Sequence, residues 1–375
     1  MKPSMQINSP QSRRTFLTAL PVATLAACEN PGIKKNPSVQ TRRHLKWKMV
    51  TTWPKDFPGL GTGANYLAQL IGEMSNGELE IKVYGAGELV PALGVFDAVS
   101  GGTAEMGHST AYYWKGKHEA TQFFSTVPFG LTAQEINGWL QHGGGQQLWD
   151  EIYEPFGLKA FPAGNTGVQM GGWFNKEINK LEDFSGLIIR MPGLGGEVLR
   201  RLNATVQTIP GGEIFQALKT GAIDATEWVG PYNDLAFGFH QAAKYYYWPG
   251  WHEPGTTMEA MINQNAWEQL PKDLQKIVQC ACSTVNDHML AEFTTRNSAA
   301  LETLVNQHGV QLRQFSDEIL NSIGLIAKEV IQEVANKDPK TKKVYDSFIE
   351  FRKNSLSYTH ISEEAYTLAR SLTPS

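Results

Sequence analysis

The sequence predicts an α/β protein with two lobes of similar topology and an extended C-terminal helical region. Three observations support this prediction. Strand and helix patterns alternate from His44 onward, one helix-to-strand motif occurs twice, and the pattern after Gly255 becomes mainly helical. The chain has 375 residues, enough for two ordinary domains, and its 41% hydrophobic and 19% charged residues are typical of a globular protein. Three cysteines exclude a disulfide scaffold.

The N-terminus predicts an export signal over residues 1–28. The pair Arg13-Arg14 precedes a mostly apolar run over residues 16–27, which is too short to span a bilayer. The pair is followed by Phe and Leu and resembles a twin-arginine signal, and Leu-Ala-Ala-Cys28 resembles a lipobox in which Cys28 would carry a lipid anchor. An ordinary secretory signal and a simple cleavage site are the alternatives. Residues 29–43, rich in Asn, Pro and Lys, are predicted to form a flexible tether.

The charge distribution excludes a nucleic-acid binder. Residues 1–43 contain seven Lys or Arg and one acid, which leaves 26 basic and 36 acidic residues in the rest of the chain. Any anion that this acidic body binds must therefore be held by a specific arginine.

The first half of the chain predicts a parallel sheet covered by helices. Strand patterns occupy residues 45–52, 79–84 and 105–110, and helix patterns occupy residues 63–74 and 91–100. This order of elements is βαβαβ, which implies parallel strands.

The second half repeats this pattern. Strands are predicted at residues 158–162, 167–174, 186–191, 205–209 and 224–229, and helices at residues 195–202 and 212–220. The motif Phe-x-Ala-aliphatic-x-x-Gly-x-x-acid begins at Phe96 and again at Phe215, 119 residues later. It describes a helix that ends at a glycine and leads into a strand, and two copies indicate two lobes of similar topology. Chance similarity of two helix ends is the alternative.

The last third of the chain is predicted to be mainly helical. A strand is expected at residues 256–263 and another at 310–315, with a helical region that opens at residues 266–270. Further helices are predicted over residues 272–308, 317–337, 340–355 and 362–372. Helices of this length in a two-lobed protein are expected to cross between the lobes or to extend into a partner chain.

Polar residues at predicted strand ends are the candidates for a binding site. Arg190 closes an apolar strand immediately before Met-Pro-Gly, at the sheet edge where α/β proteins bind ligands, and its planar fork suits a carboxylate. The alternative for Arg190 is a structural ion pair with a neighbouring acid. Glu227 and Trp228 end the strand after the second motif copy, and Gln169 lies on another strand-edge segment. Carboxylate, amide and carbonyl oxygens suit Na⁺ or Ca²⁺ rather than zinc.

Arg190-Met-Pro-Gly, residues 165–174, the motif over residues 215–224 and Glu227-Trp228 together resemble the solute-binding proteins of TRAP (tripartite ATP-independent periplasmic) transporters. The resemblance spans roughly residues 44–351 and is closest to the DctP-type branch that binds 2-oxo or 2-hydroxy monocarboxylates with a cation. It implies a periplasmic-binding-protein-like fold with crossover helices. It also implies that Arg190 pairs with the ligand carboxylate and that Gln169, Glu227 and the main chain of Trp228 hold the metal. Further candidates for the pocket wall are Asn165, Tyr112, Tyr113, Trp114, Tyr232 and Glu253.

The resemblance further implies a domain organisation and partners. Lobe I is expected over residues 44–163 and 256–300, lobe II over residues 164–255 and 301–350, and a dimerisation helix over residues 351–375. The expected partners are a small organic acid, the TRAP membrane subunits and a second copy of the chain. The expected function is that of a periplasmic receptor without catalytic activity. Two alternatives use the same pocket: an exported periplasmic enzyme with Glu227 or Glu253 as the base, and a sensory ligand-binding subunit.

Overall fold

The computed structural model describes residues 44–372. The predicted export signal, the lipobox cysteine, the tether and residues 373–375 lie outside the described residues. The strands, in chain order, are β1 (Leu45–Thr51), β2 (Leu79–Tyr84), β3 (Met106–Ser109), β4 (Leu158–Asn165), β5 (Gly172–Phe174), β6 (Ile188–Arg190), β7 (Thr205–Gln207), β8 (Ala225–Thr226), β9 (Tyr245–Trp248), β10 (Thr257–Asn263) and β11 (Gln311–Gln314).

Helices cover both sheets and occupy most of the chain after β10. In chain order they are α1 (Leu60–Met74), α2 (Val95–Ser100), α3 (Ala133–His142), α4 (Gly145–Tyr153), α5 (Gly193–Arg201), α6 (Gly211–Thr220), α7 (Pro231–Phe237), α8 (Gln264–Gln269), α9 (Lys272–Asn306), α10 (Asp317–Ala335), α11 (Pro339–Thr359) and α12 (Ala365–Ser371). Within residues 44–372, no helix combines the length and the apolar character needed to cross a bilayer.

The strands form two mixed sheets. The first sheet has the order β2-β1-β3-β10-β4, and the second has the order β11-β9-β5-β8-β6-β7. The two-lobed α/β fold and the long C-terminal helical region are confirmed. The parallel arrangement predicted from the βαβαβ order is present in β1, β2 and β3. Later strands make both sheets mixed, because β10 runs antiparallel to β3 and β4, and β5 runs antiparallel to β8 and β9. Strands β5 and β10 each enter their sheet directly from a strand of the other sheet, so no βαβ crossover fixes their direction.

The twice-occurring motif has the same structure in both sheets. Helix α2 precedes β3 and helix α6 precedes β8, and the motif glycines Gly102 and Gly221 both have a left-handed backbone, with φ of 75° and 74°. Only glycine adopts this conformation without strain. Each motif acid accepts a backbone N–H from the parallel strand beside it: Glu105 from Lys48 at 2.7 Å, and Asp224 from Ile188 at 2.9 Å. The repeat is therefore a repeated connection and not a chance likeness of two helix ends.

Two predicted element boundaries need correction, and four elements were not predicted. Of the strand expected over residues 167–174, only β5 forms, because the backbone N–H groups of Gln169, Met170 and Gly171 bond to three separate segments. The helix expected from residue 362 is continuous with α11 through a π-helical turn at His360–Glu364. Helices α3, α4 and α7 and strand β9 were not predicted. The boundaries of the two lobes and of the dimerisation segment stay predictions.

The longest helix of the described residues extends beyond a single sheet. Helix α9 has 35 residues and packs against α1, β4 and α7. It thus contacts elements attached to both sheets, as expected for a crossing helix.

After Phe348, none of the side chains up to Leu372 is buried, and large apolar ones are exposed at Tyr358, Ile361, Tyr366, Leu368 and Leu372.

Candidate functional site

The second sheet brings Arg190 and Glu227 together. Arg190 is the last residue of β6, and Glu227 directly follows β8, the parallel neighbour of β6. The register pairs Arg190 with Thr226, and the backbone N–H of Glu227 donates to the carbonyl of Arg190 at 3.2 Å. Since the carboxyl ends of parallel strands meet at one edge, both side chains enter the same crevice.

Arg190 and Glu227 form an ion pair that is completely buried. Nη1 of Arg190 donates to Oε1 of Glu227 and, at 3.1 Å, to its main-chain carbonyl. Nη2 donates to the hydroxyl of Tyr113 at 3.0 Å, and Nε donates to the carbonyl of Ile209 at 3.3 Å. The ion pair that sequence analysis left open as an alternative for Arg190 is thus present, and its partner is the candidate cation ligand. Nη1 is occupied by Glu227, whereas the Nε and Nη2 edge faces two neutral oxygens.

An aromatic ring covers the guanidinium group. The Cζ atom of Arg190 lies 5.1 Å from the ring centroid of Trp228, a distance at which a cation is attracted to the face of an aromatic ring. Trp228 is itself buried, with its ring packed edge-on against Trp53 and Phe57. Burial alone lowers the pKa of Arg190, but the nearby Tyr113 and Glu227 outweigh it and hold the pKa above its usual value. Arg190 therefore stays charged.

A loop between β4 and β5 places Gln169 beside a second carboxyl group. Nε2 of Gln169 donates to Oε2 of Glu253 at 2.8 Å and to the hydroxyls of Thr166 and Thr256 at 3.1 and 3.2 Å. Oε1 of Gln169 is buried and has no hydrogen-bond partner among the described residues. An unpaired buried carbonyl costs about 1–3 kcal/mol, so this oxygen has an unused capacity to coordinate a cation.

Glu227, His252 and Glu253 form a buried group whose ligand atoms all lie within 4.8 Å of one another. Nε2 of His252 lies 3.4 Å from Oε2 of Glu227. Burial, and then the negative charge of Glu227, raises the pKa of Glu253 well above its usual value. Two carboxyl groups and the free amide oxygen of Gln169 are hard donors of the kind that Na⁺ and Ca²⁺ prefer. The donor set therefore fits such an ion, which would offset the repulsion between the carboxylates.

His252 is a member of the cluster that the sequence did not indicate. Its side chain is buried, and its Nδ1 has no hydrogen-bond partner among residues 44–372. The available signal was its position beside Glu253 in the short run Trp-His-Glu-Pro. A histidine in a loop is too common a feature to be selected without knowing that this loop passes between the two sheets.

The other predicted site residues divide into two sets. Asn165 ends β4 with its Nδ2 buried and unpaired, and Tyr112 packs edge-on against Tyr113 at 4.8 Å. Burial, and then the charge of Glu253, raises the pKa of Tyr112 well above 10. The structure does not bring Trp114 and Tyr232 into the cluster. Their polar atoms bond at 2.6 Å to Glu259 and at 3.0 Å to Glu292, respectively.

Comparison with known proteins identifies close relatives of this chain. A monocarboxylate 2-oxoacid-binding periplasmic protein from Nostoc sp. is 44% identical over 359 residues, which cover 94% of this chain and 97% of that protein. A TRAP periplasmic solute-binding protein from Pseudoalteromonas atlantica, solved with bound sodium and pyruvate, is 43% identical with a TM-score of 0.84. That match covers 87% of this chain and 99% of the other.

A third relative has a lower identity but a similar fold. It is a TRAP transporter solute-binding protein from Bordetella bronchiseptica, solved as a dimer of mixed occupancy with calcium and picolinate in one active site and an apo second site. It is 37% identical with a TM-score of 0.86, and the match covers 88% of this chain and 98% of that one. Residues 49–338 match the model of the DctP family, described as bacterial extracellular solute-binding protein, family 7. The chain therefore belongs to the DctP family of TRAP solute-binding proteins.

Proposed function

We propose that this protein is the periplasmic receptor of a TRAP transporter and binds a small 2-oxo or 2-hydroxy monocarboxylate together with Na⁺ or Ca²⁺. The main supporting observation is the buried cluster in which Arg190 and Glu227 lie beside the unpaired oxygen of Gln169. The relatives from Nostoc and Pseudoalteromonas, described as binding 2-oxoacids and pyruvate, support the same ligand class.

Arg190 would hold the carboxylate of the acid. Its Nε and Nη2 donate to the carbonyl of Ile209 and the hydroxyl of Tyr113, both neutral acceptors. A carboxylate accepts two parallel hydrogen bonds from a guanidinium edge and does so more strongly than neutral oxygens do. An incoming acid would therefore displace the longer bond to Ile209 and share Nη2 with Tyr113, while Nη1 keeps its bond to Glu227.

Gln169, Glu227 and the main chain of Trp228 would hold the cation, with Glu253 and His252 next to it. When bound, the ion supplies positive charge and free coordination positions for oxygens of the acid. A 2-oxo or 2-hydroxy oxygen adjacent to the carboxylate completes a chelate, which acetate cannot form. The site is therefore expected to prefer acids substituted at carbon 2, with Asn165 and Tyr112 forming part of its wall.

Membership of a solute-binding family determines the class of function. The family and the relatives named above are receptors, so the chain is a receptor and not an enzyme, and the family acts outside the cytoplasm. The finer proposals are export by the twin-arginine route, a lipid anchor at Cys28 and a homodimer formed through residues 351–375. The Bordetella relative is described as a dimer, and the exposed apolar residues after Phe348 support a homodimer here.

A ligand screen with a matched pair of variants tests the proposed function. Thermal unfolding of the mature protein is followed with 2-oxo acids, 2-hydroxy acids and acetate, in the presence of Na⁺, Ca²⁺ or a chelator. A ligand at 100 times its Kd is expected to stabilise the protein by about 2.7 kcal/mol. Gln169→Met should abolish the cation-dependent part of this stabilisation. Gln275 is a buried glutamine on α9 whose side chain donates to the main-chain carbonyl of Trp267. The control variant Gln275→Met should leave the cation-dependent stabilisation intact.

Two results would contradict the proposal. One is consumption of the bound acid with formation of a product, which would indicate an enzyme. The other is equal stabilisation of the wild type by acetate and by 2-substituted acids in the presence of Na⁺ or Ca²⁺, which would exclude chelation by a bound cation.

A further inference from the structure

A further buried carboxyl group contacts the segment that carries Tyr112 and Tyr113. Glu259 is in the middle of β10 and is completely buried. Its Oε1 accepts a hydrogen bond from Nε1 of Trp114 at 2.6 Å, and its Oε2 accepts one from the hydroxyl of Tyr153 at 2.8 Å. Burial raises its pKa to about 7, and neither of its two partners is a cation. Burial of an ionisable group is costly, and its hydrogen bonds then fix the position of the groups that it contacts.

The two partners of Glu259 both pack against Phe96 in the hydrophobic core, but they belong to different elements. Tyr153 ends helix α4, and its ring packs edge-on against Trp149 and Phe96 in the hydrophobic core. Trp114 is the last residue of a short 3-10 helix, Ala111–Trp114, which also carries Tyr112 and Tyr113. One bond of the carboxyl group thus goes to helix α4, and the other goes to the short helix that carries Tyr113.

Trp114 is connected to the guanidinium group of Arg190 through a single residue, Tyr113. Tyr113 precedes Trp114, their rings lie 6.2 Å apart in an edge-on arrangement, and the Tyr113 hydroxyl accepts from Nη2 of Arg190. A 3-10 helix of four residues has few internal hydrogen bonds, so contacts from outside determine its position. The indole ring of Trp114, fixed by Glu259, is such a contact.

We propose that Glu259 is a positioning residue for ligand binding, which acts through Trp114 to hold Tyr113 against Arg190. This inference rests on the proposed function, because it assigns Tyr113 and Arg190 to the wall of an acid-binding site. Glu259 does not touch the acid. It keeps the Tyr113 hydroxyl in contact with Nη2 of Arg190, which the acid would also contact. A displacement of about 1 Å at such a supporting contact is enough to weaken a site.

The two hydrogen bonds of the same carboxyl group provide a matched pair of variants. Trp114→Phe removes the bond to the helix that carries Tyr113, and Tyr153→Phe removes the bond to helix α4. Each leaves one oxygen of Glu259 unpaired, and Trp114→Phe also leaves a cavity beside the smaller ring, so both should lower the thermal midpoint of unfolding, Trp114→Phe by more. Only Trp114→Phe should raise the Kd for the acid. We expect a rise of about fivefold to tenfold, which corresponds to the net free energy of one hydrogen bond.

Substitution of Glu259 itself distinguishes a positioning role from a general structural one. Glu259→Gln keeps an oxygen that accepts from Trp114, so its Kd should stay within about twofold of the wild type. Glu259→Leu keeps the approximate size but accepts no hydrogen bond, and it should raise the Kd as much as Trp114→Phe does. Calorimetry with pyruvate and Ca²⁺, and thermal unfolding of the free protein, give affinity and stability separately.

The outcomes separate this inference from the proposed function. If the wild type binds and Trp114→Phe and Tyr153→Phe raise the Kd equally, or not at all, the positioning role is wrong while the receptor function stands. If the wild type binds none of the 2-oxo or 2-hydroxy acids, the proposed function fails, and the positioning role fails with it. A selective effect of Trp114→Phe, with rescue in Glu259→Gln but not in Glu259→Leu, supports the inference.

Discussion

Arg190 and Glu227 each lie at the end of one of two neighbouring parallel strands and form an ion pair without solvent contact. No water reaches either side chain, so both charges are stabilised by protein groups alone, and each is the ion-pair partner of the other. The pair therefore has two roles in our proposal: it keeps two charges in the interior, and it joins the part of the site that takes the acid to the part that takes the cation.

The first prediction separates these two roles. Removing one partner of a buried ion pair costs about 3–5 kcal/mol, whereas replacing both partners by neutral residues costs far less. Arg190→Met should therefore lower the free energy of unfolding by about that amount, and the double variant Arg190→Met/Glu227→Gln should recover most of it. Neither variant should bind the acid. Urea denaturation and calorimetry measure the two effects, and a double variant with wild-type affinity would remove Arg190 from the site.

The second prediction concerns the mutual dependence of acid and cation. The Arg190–Glu227 pair has no net charge, so an acid anion alone, or a cation alone, would leave an unbalanced charge in a buried site. Together they cancel, and each should therefore strengthen the binding of the other. We expect the Kd for pyruvate to rise at least about a hundredfold when Ca²⁺ is chelated and Na⁺ is replaced by choline, since about 3 kcal/mol is typical of strong coupling between sites. An unchanged Kd would exclude a cation from the site.

The third prediction is a pH dependence that originates in the first sheet. His108 on β3 accepts from Nε1 of Trp53 at 2.8 Å and contacts the carbonyl of Ala163 at 3.1 Å, and burial lowers its pKa to about 4. The folded protein then binds this proton more weakly than the unfolded chain, whose histidine has a pKa near 6.5. Stability from this group is complete above pH 6.5 and is lost as the pH falls towards 4.

A neutral replacement isolates this effect from other titrating groups. Between pH 7 and pH 5 the wild type should lose about 2 kcal/mol more stability than His108→Gln, because Gln cannot take up a proton. Asp234 and Glu259, whose pKa values burial raises to about 7, are present in both proteins and cancel in the difference. Parallel stability curves for the two proteins would show that His108 titrates normally.

The fourth prediction concerns the C-terminal helix. Ile361 and Leu368 are 71% and 63% exposed, and such apolar residues in a row along a helix are a typical contact surface for a partner. If they form the proposed homodimer, Ile361→Asp/Leu368→Asp should yield a monomer in light scattering after gel filtration. Leu325→Asp, which changes an equally exposed leucine on α10, should stay dimeric. A monomeric wild type would contradict the proposed dimer.

Much of the fold could be predicted because its elements have local signals. Alternation of apolar residues marks β2, and the motif glycines Gly102 and Gly221 mark the ends of two helices through their backbone conformation. The direction of β10 could not be predicted, because a strand pattern looks the same in both directions. Helix α3 was also missed, although Thr132 and Glu135 form a capping box at its start.

The site was predictable only in part, for a similar reason. Arg190 and Glu227 stand at strand ends, and their strands are neighbours in the repeated unit, so a pattern in the sequence indicates them. Trp114 looks like a wall residue because it follows Tyr113, but the direction of its indole depends on Glu259, 145 residues away. Contacts of this range become visible only when the sheet is assembled.

Strand β10 has a consequence for the synthesis of the protein. It lies between β3 and β4, yet in the chain it follows every strand of the second sheet except β11. A ribosome must therefore produce about two thirds of the polypeptide before the first sheet can close. Until then two open strand edges are available to other chains, and such edges promote aggregation. We therefore expect a chaperone that binds the nascent chain to be needed longest at β3 and β4, in its N-terminal half.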